Sequence, residues 1–211
     1  MKPKFLPLLV CGLVFAGCAT TKIQHVWKDD SSGGKQFSRI LVVGVFKEPV
    51  YRQLFENQLA QVLRDSGVDA LSSYTLFPDS DRIREAAAKE QIRSSGIDAV
   101  LVARLVDTRK ESVYVPGTTY VQGYGGPYRG PSGWYGYYGG SYQVTQTPGY
   151  TTEYNISTVE TQIFDVATEA SIWAVLSETT ETSVVAAIES YVKALAGPLR
   201  SSGLLAHGSA R

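Results

Sequence analysis

A chain of 211 residues, 44% hydrophobic and 19% charged, can bury one real core and is too apolar for a highly charged disordered segment. Its 20 basic and 20 acidic side chains cancel, which argues against a nucleic-acid binder. With 2 Cys, 2 His and 1 Met there is no material for a disulfide framework or a Cys/His metal centre, and no cofactor is expected.

The chain opens with Lys2 and Lys4, followed by an apolar stretch from Phe5 to Ala16. That stretch is too short to span a hydrocarbon core and has the proportions of a secretory signal, residues 1–17. It ends in Phe15-Ala16-Gly17-Cys18, which resembles the bacterial lipobox, with Phe15 standing where Leu is usual. Cys11 competes poorly because Val10 precedes it. The resemblance implies cleavage before Cys18, a diacylglycerol on its sulfur, and an acyl chain such as palmitate on the new amine. The bland alternative is an ordinary signal peptide in which Cys18 is incidental. Several acyl chains, each contributing about 0.8 kcal/mol per buried methylene, make a stable membrane anchor. Ala19 rather than Asp follows Cys18, and by resemblance to Gram-negative lipoproteins this implies the outer membrane, facing the periplasm. With Cys11 removed and Cys18 lipidated no free thiol is left, which suits an oxidising compartment.

Residues 18–37 read as a lipidated tether and lead-in strand, with Ile23 to Trp27 able to add an edge strand and Ser31-Ser32-Gly33-Gly34 a break. Residues 38–205 read as one domain, with a tail at 206–211. Ile40 to Val45 is a β-branched apolar run, the pattern of a strand buried on both faces. Pro49 opens a helix whose apolar face is Val50/Tyr51, Leu54/Phe55, Leu59 and Val62/Leu63, with Arg52, Glu56 and Arg64 off that face. Gly67 ends it, Val68 to Tyr74 is a second strand, and Asp81 to Ser95 a second helix carrying a Glu85–Lys89 pair. Ile97 to Val106 is a third strand, interrupted by Arg104, which either snorkels near a strand end or forms a buried ion pair. The motif Arg64-Asp-Ser-Gly-Val-Asp-Ala-Leu71 returns as Arg93-Ser-Ser-Gly-Ile-Asp-Ala-Val100. Tandem strand–helix–strand crossovers follow from it, so the first three strands are parallel.

Two antiparallel strands complete the sheet, Thr151 to Phe164 and Ile172 to Leu176. Thr182 then caps a final helix with Val184, Ile188, Tyr191, Val192 and Leu195 inward. The expected fold is α/β (α+β): a single mixed five-stranded sheet, β-α-β-α-β-β-β-α, in the order 2-1-3-4-5.

Between its third and fourth strands the sheet is interrupted by a Gly/Tyr-rich hairpin insertion, residues 116–149, bounded by Pro116-Gly117 and Pro148-Gly149. Residues 114–154 hold 10 of the 13 tyrosines and 10 of the 20 glycines, with Arg129 and Glu153 as the only charges. Tyr124, Tyr128, Trp134, Tyr135, Tyr137, Tyr138 and Tyr142 are the candidate binding residues: broad aromatic faces with one polar handle, on a chain that bends freely. The bland reading of the same composition is a low-complexity loop without a ligand.

Catalytic residues are not expected. His25 lies in the tether and His207 in the tail, and the Gly-rich segment lacks a phosphate loop's Gly-Lys-Ser/Thr ending. Asp69 and Asp98 are strand-entry residues of the repeat, and Glu160 and Asp165 face turns or solvent.

The motif Val42-Val-Gly-Val45, Arg52, Phe55-Glu56, Leu63, Gly67-Val68, Ser73-Tyr74, Pro78, Asp98-Ala-Val-Leu-Val102, with Asp165, Thr168 and Trp173, resembles a family of uncharacterised bacterial lipoproteins, a domain of unknown function, over residues 26–205. The element order is also similar to the curli-secretion lipoprotein and to the amino-terminal domain of the Tol-system propeller protein. These resemblances imply protein–protein work in the cell envelope. The expected function is a lipid-anchored, non-catalytic binding or adaptor module acting through the aromatic hairpin. The alternative is a subunit of an oligomeric envelope or secretion assembly, a ring or pore. Expected partners are the membrane, through the N-terminal lipid, and an envelope protein, glycan or lipid surface, with a homo-oligomer compatible and nucleic acid excluded.

Overall fold

The computed structural model describes residues 20–30, 34–78, 85–123, 142–181 and 183–206, and for 121–123 and 142–144 the backbone only. In chain order its elements are β1 (Thr20–Lys28), β2 (Arg39–Val45), α1 (Pro49–Asp65), β3 (Asp69–Ser72), α2 (Ser73–Leu76), α3 (Glu85–Ser94), β4 (Ala99–Val115), β5 (Thr118–Gly123), β6 (Tyr142–Thr147), β7 (Tyr150–Asp165), β8 (Ser171–Glu181) and α4 (Val184–Ser201). They divide into two compact units. One comprises residues up to Thr108 and from Ile156 on; the other is Arg109–Asn155.

The sheet of the first unit has six strands, ordered β1-β8-β7-β4-β2-β3, not five. The extra strand is β1, which pairs antiparallel with β8 from Thr20↔Thr180 to Lys28↔Trp173. Two inward side chains hold it there. Ile23 packs against the core, and the Thr21 hydroxyl lies 2.8 Å from that of Thr179 and 3.0 Å from that of Ser190. His25 therefore sits on a sheet strand and not in a tether. The other five strands follow the expected 2-1-3-4-5 adjacency, and β2 is parallel to both β3 and β4.

Alternation along β2 separates two cores. Ile40 and Val42 point to one face with Phe55, Leu59 and Leu63 of α1 and Ile188, Val192 and Leu195 of α4. Full burial contributes about 1.5–3 kcal/mol for each such side chain. Leu41 points to the other face with Phe77, Ile97 and the half-buried Ala88 and Ile92 of α3. That second layer is thin, since α3 has no fully buried residue.

The internal repeat has one geometry used twice. Gly67 and Gly96 both take positive φ, +91° and +68°, as helix-ending residues do. After each, the chain folds back identically: Val68 N–H donates to Leu63 O and Ile97 N–H to Ile92 O. Asp98 then caps the start of β2, accepting from Ser38 N–H, Ser38 hydroxyl and Arg39 N–H at 2.7–3.0 Å.

Several local expectations need correction. The second strand stops at Ser72, and Ser73 to Leu76 coil into α2. Val50 is 72% exposed, not inward. Glu56, expected off the apolar face, is fully buried. Ser183, not Thr182, is the N-cap of α4. Thr182 and residues 81–84 lie outside the described residues. Arg104 neither snorkels alone nor forms a buried pair: it is 60% exposed and meets Glu160 at 2.6 Å across the β4–β7 neighbours.

Candidate functional site

The second unit is an arm made of the distal part of β4, the β5–β6 hairpin and the proximal part of β7. It begins at Arg109, before the Pro-Gly step, and ends at Asn155. Strands β5 and β6 pair antiparallel from Thr118↔Thr147 to Gly123↔Tyr142 and form their own two-stranded sheet. Pro116-Gly117 separates β4 from β5, and Pro148-Gly149 separates β6 from β7, as expected for residues that cannot continue a ladder.

The glycines of those two steps are there for room. A Cβ on Gly117 would lie 2.7 Å from Gly149 N and collide with Thr147 O. A Cβ on Gly149 would lie 2.7 Å from the Tyr114 ring carbon that bears the hydroxyl, and 3.0 Å from Gly117 N. The two backbones pass so closely that only glycine fits. Around this neck Val113, Tyr114, Tyr120 and Tyr150 are exposed, while Tyr154 is half-buried. Charges gather at the start of the arm, where Arg109 meets Glu111 at 3.4 Å.

Of the expected binding residues, Tyr124, Tyr128, Trp134, Tyr135, Tyr137 and Tyr138 lie outside the described residues, as does the expected lipidation site Cys18. Tyr142 is placed by its backbone opposite Gly123.

In the first unit, one buried polar cluster escaped sequence reasoning. Glu56 accepts four hydrogen bonds: Gly44 N–H at 3.0 Å, Arg52 Nε at 3.0 Å and Ser73 hydroxyl at 2.7 Å on Oε1, and Tyr74 N–H at 2.9 Å on Oε2. Arg52 extends it, donating to Ser73 Oγ and to Phe77 O. The cluster ties the end of β2 to the turn after β3 through α1. A signal for it exists, because Arg52, Glu56, Leu59 and Leu63 recur at helical spacing and form one inward stripe.

A second polar cluster lies on the thin face. Lys89 bridges Glu85 at 2.8 Å and Glu169 at 2.7 Å, and Arg93 reaches Glu169 at 3.1 Å. The hydrogen bond between them, more than simple attraction of charge, moves the Lys89 ammonium up and the Glu169 carboxyl down from their ordinary values. Glu169 has φ +58°, a conformation that costs a non-glycine residue about 1 kcal/mol or more. These charges rim a shallow depression of about 210 Å³ floored by Ile92, Val100, Phe164 and Val166. Next to it Asp165 is nearly buried. Burial pushes its carboxyl up, but hydrogen bonds from Lys35 and from the Ala167 and Thr168 amides outweigh that and hold it below its ordinary range. Burial also pushes the Tyr191 phenol far up, against hydrogen bonds to Thr161 and Ser177.

Among the described residues no three His, Cys, Asp or Glu side chains come together as metal ligands. Each carboxylate named above already has cationic or amide partners, which is the chemistry of a scaffold. Among the described residues, too, no helix is long and apolar enough to cross a membrane.

No family model matches the chain, and no curated protein matches it. Among solved structures it is similar to PelC dodecamers from Paraburkholderia phytofirmans. In one crystal form identity is 16% over 86% of this chain and 97% of that one, at TM-score 0.43. A variant dodecamer in another form gives 17% over 89% and 99%, also at 0.43. A PDZ domain protein from Parabacteroides distasonis is similar at 9% identity over 88% of this chain and 36% of that one, at TM-score 0.32.

Proposed function

We infer that the chain is a cell-envelope lipoprotein, freed of residues 1–17 and anchored through Cys18, that works as a non-catalytic binding module with its tyrosine-rich arm as the contact element. The observation that carries this reading is the arm itself: a compact unit of its own in which Tyr114, Tyr120 and Tyr150 are exposed and Tyr154 is half-buried. Tyrosine and tryptophan bring about 150–250 Å² of contact each, at low entropic cost. With Arg129 and Glu153 as the only charges in residues 114–154, contact through this segment rests on stacking and apolar burial. It should therefore survive added salt, whereas simple ion pairing is screened within about 3 Å at 1 M.

The test is photocrosslinking in intact envelopes, comparing the full-length protein with a form in which residues 118–147 are replaced by a short Gly-containing turn. The partner band should vanish in the replacement and persist in 1 M salt. In the full-length protein, Trp134→Ala should weaken capture by about 2 kcal/mol, as for an aromatic hot spot. A band that survives the loss of Trp134, Tyr135, Tyr137 and Tyr138 side chains together would refute the arm as contact element.

The reading as an assembly subunit draws on a different feature, the open outer edge of β1 with Val26 and Trp27 exposed. Light scattering on the detergent-solubilised protein distinguishes the two, since a module stays monomeric.

A further inference from the structure

One end of the first unit gathers the point where the chain enters the fold and a set of uncovered apolar side chains. Several independent contacts fix that end. Thr20, the first residue of β1, pairs with Thr180 near the end of β8, and α4 begins at Val184 just beyond. Ser157 of β7 donates to Glu181 at 3.0 Å, which brings β7 to the same edge. On the other side of the sheet, Val45 pairs with Arg104, and Arg104 holds Glu160 of β7. Helices α1 and α4 run in the same direction, since Phe55 stacks on Tyr191 at 5.9 Å and Arg200 near the end of α4 donates to Ser66 at the end of α1. Their first turns therefore share an end, and it is the end where Thr20 lies.

Six apolar residues there are exposed: Val45 at the end of β2, Val50 in the first turn of α1, Leu105 and Val106 on β4, and Val184 and Val185 in the first turn of α4. Among the other described residues of the first unit the exposed large apolar side chains are Val26 and Trp27. Exposed apolar residues gathered in one place ask for a covering surface in a way that scattered ones do not. The occupant is set by what the chain attaches to at this end. Thr20 is two residues from Cys18, and two extended residues reach about 7 Å. A lipid on Cys18 would therefore hold Thr20, at the β1 edge of this end, close to the bilayer.

We propose that the end bearing Val45, Val50, Leu105, Val106, Val184 and Val185 is a membrane-docking face that seats the first unit on the lipid surface in one fixed orientation. The proposal rests on the reading of Cys18 as the anchor and adds to it a second contact. The acyl chains supply the affinity, and the valines and the leucine set the pose by burying into the headgroup–acyl boundary, to a depth of about 5–10 Å. The charges at this end are of both signs: Lys47 and Glu48 lie between β2 and α1, Asp107 follows Val106, and Arg104 and Glu160 pair with each other. Docking therefore needs no anionic lipid.

The experiment uses the full chain, processed in its host, purified and reconstituted into neutral phosphatidylcholine vesicles. With Cys11 removed and Cys18 acylated, the protein offers no competing thiol. Single cysteines at Val50, Leu105 and Val185, and at Arg200 and Ser66 on the opposite end, carry a polarity-sensitive fluorophore. Brominated lipids report depth. The proposal requires quenching and a blue shift at Val50, Leu105 and Val185 and neither at Arg200 or Ser66. Protein that floats with the vesicles but shows no quenching at any site, or equal quenching at both ends, overturns the docking face and leaves the anchor intact. Protein that fails to float, with an unmodified Cys18 by mass spectrometry, overturns the anchor and the docking face together. Four of the five sites are exposed and Ser66 is half-buried, so a labelled form that loses its native circular dichroism identifies a folding defect; Val106 or Val184 then serves at the docking end, and Asp65 or Ser201 at the opposite end.

Discussion

Replacing Glu56 by Ala should be among the most damaging single changes in the protein. The side chain is fully buried and accepts from Gly44, Arg52, Ser73 and Tyr74. Alanine removes the carboxylate from beside the Arg52 guanidinium, which is itself only 13% exposed, and takes the acceptor from two backbone donors, the Gly44 and Tyr74 amides. Breaking a buried pair from one side costs about 3–5 kcal/mol. For a chain of this size each kcal/mol moves the melting temperature by about 2–4 °C, so a fall of about 6–20 °C is expected. Glu56→Gln keeps one acceptor oxygen. Placed at Oε1 it still serves Gly44, Arg52 and Ser73, but its amide then opposes the Tyr74 N–H. One unsatisfied buried donor costs about 1–3 kcal/mol, so Gln should fall between wild type and Ala. Urea unfolding followed by the fluorescence of Trp173, buried at 1% exposure, reads both. A cost below about 1 kcal/mol for Ala, or the same cost for Gln and Ala, would refute the account of Glu56 as a multiple acceptor.

The neck of the arm gives a second expectation: Gly149→Ala should displace Tyr114, detected as a changed Tyr114 ring environment by NMR, while the melting temperature of the first unit stays put. Replacing residues 118–147 with a short turn should likewise leave that melting temperature nearly unchanged, because the arm is a separate unit; a large drop would show that the first unit depends on it. Asp165 makes stability depend on acid. Its folded carboxyl lies below the ordinary 3.8, so its contribution is full above that value and is lost as pH falls through the folded one. The urea midpoints of wild type and Asp165→Asn should therefore differ at pH 7 and converge on acidification, and a gap that stays constant down to about pH 2 would contradict the Lys35–Asp165 pairing.

The parts legible in the sequence are those where one physical demand dominates. A β-branched run from Ile40 to Val45 has no other use than a buried strand, and a Gly between a basic helix end and an apolar run has few besides a left-handed cap, so Gly67 and Gly96 were readable in advance. The Pro-Gly steps were legible for the same reason. What failed were places where tertiary partners overrule local pattern. Glu56 reads as surface by type, yet four donors converge on it. Tyr74 reads as strand by propensity, yet its N–H is taken by that carboxylate, and the chain turns. Residues Thr20–Lys28 were legible in part: Ile23 to Trp27 read as able to add an edge strand, but the polar residues around them read as tether, and the ladder with β8 and the inward Thr21 and Ile23 make the strand run from Thr20 to Lys28. The candidate binding residues of the arm rest on composition alone, since nothing in a Gly/Tyr-rich segment fixes a register.

The pairing of β1 with β8 has a mechanical side. Strand β1 starts at the end where the chain enters and runs away from it, so a pull on the residues before Thr20, directed outward from that end, acts along the strand axis. The rungs of an antiparallel ladder lie across that axis. Such a pull loads the hydrogen bonds from Thr20↔Thr180 to Lys28↔Trp173 in shear, all at once, instead of peeling them one by one. A load borne sideways to the strands would open the same ladder from Thr20 like a zip. The placement of β1 thus makes this pairing most resistant to a pull applied along the strand at Thr20.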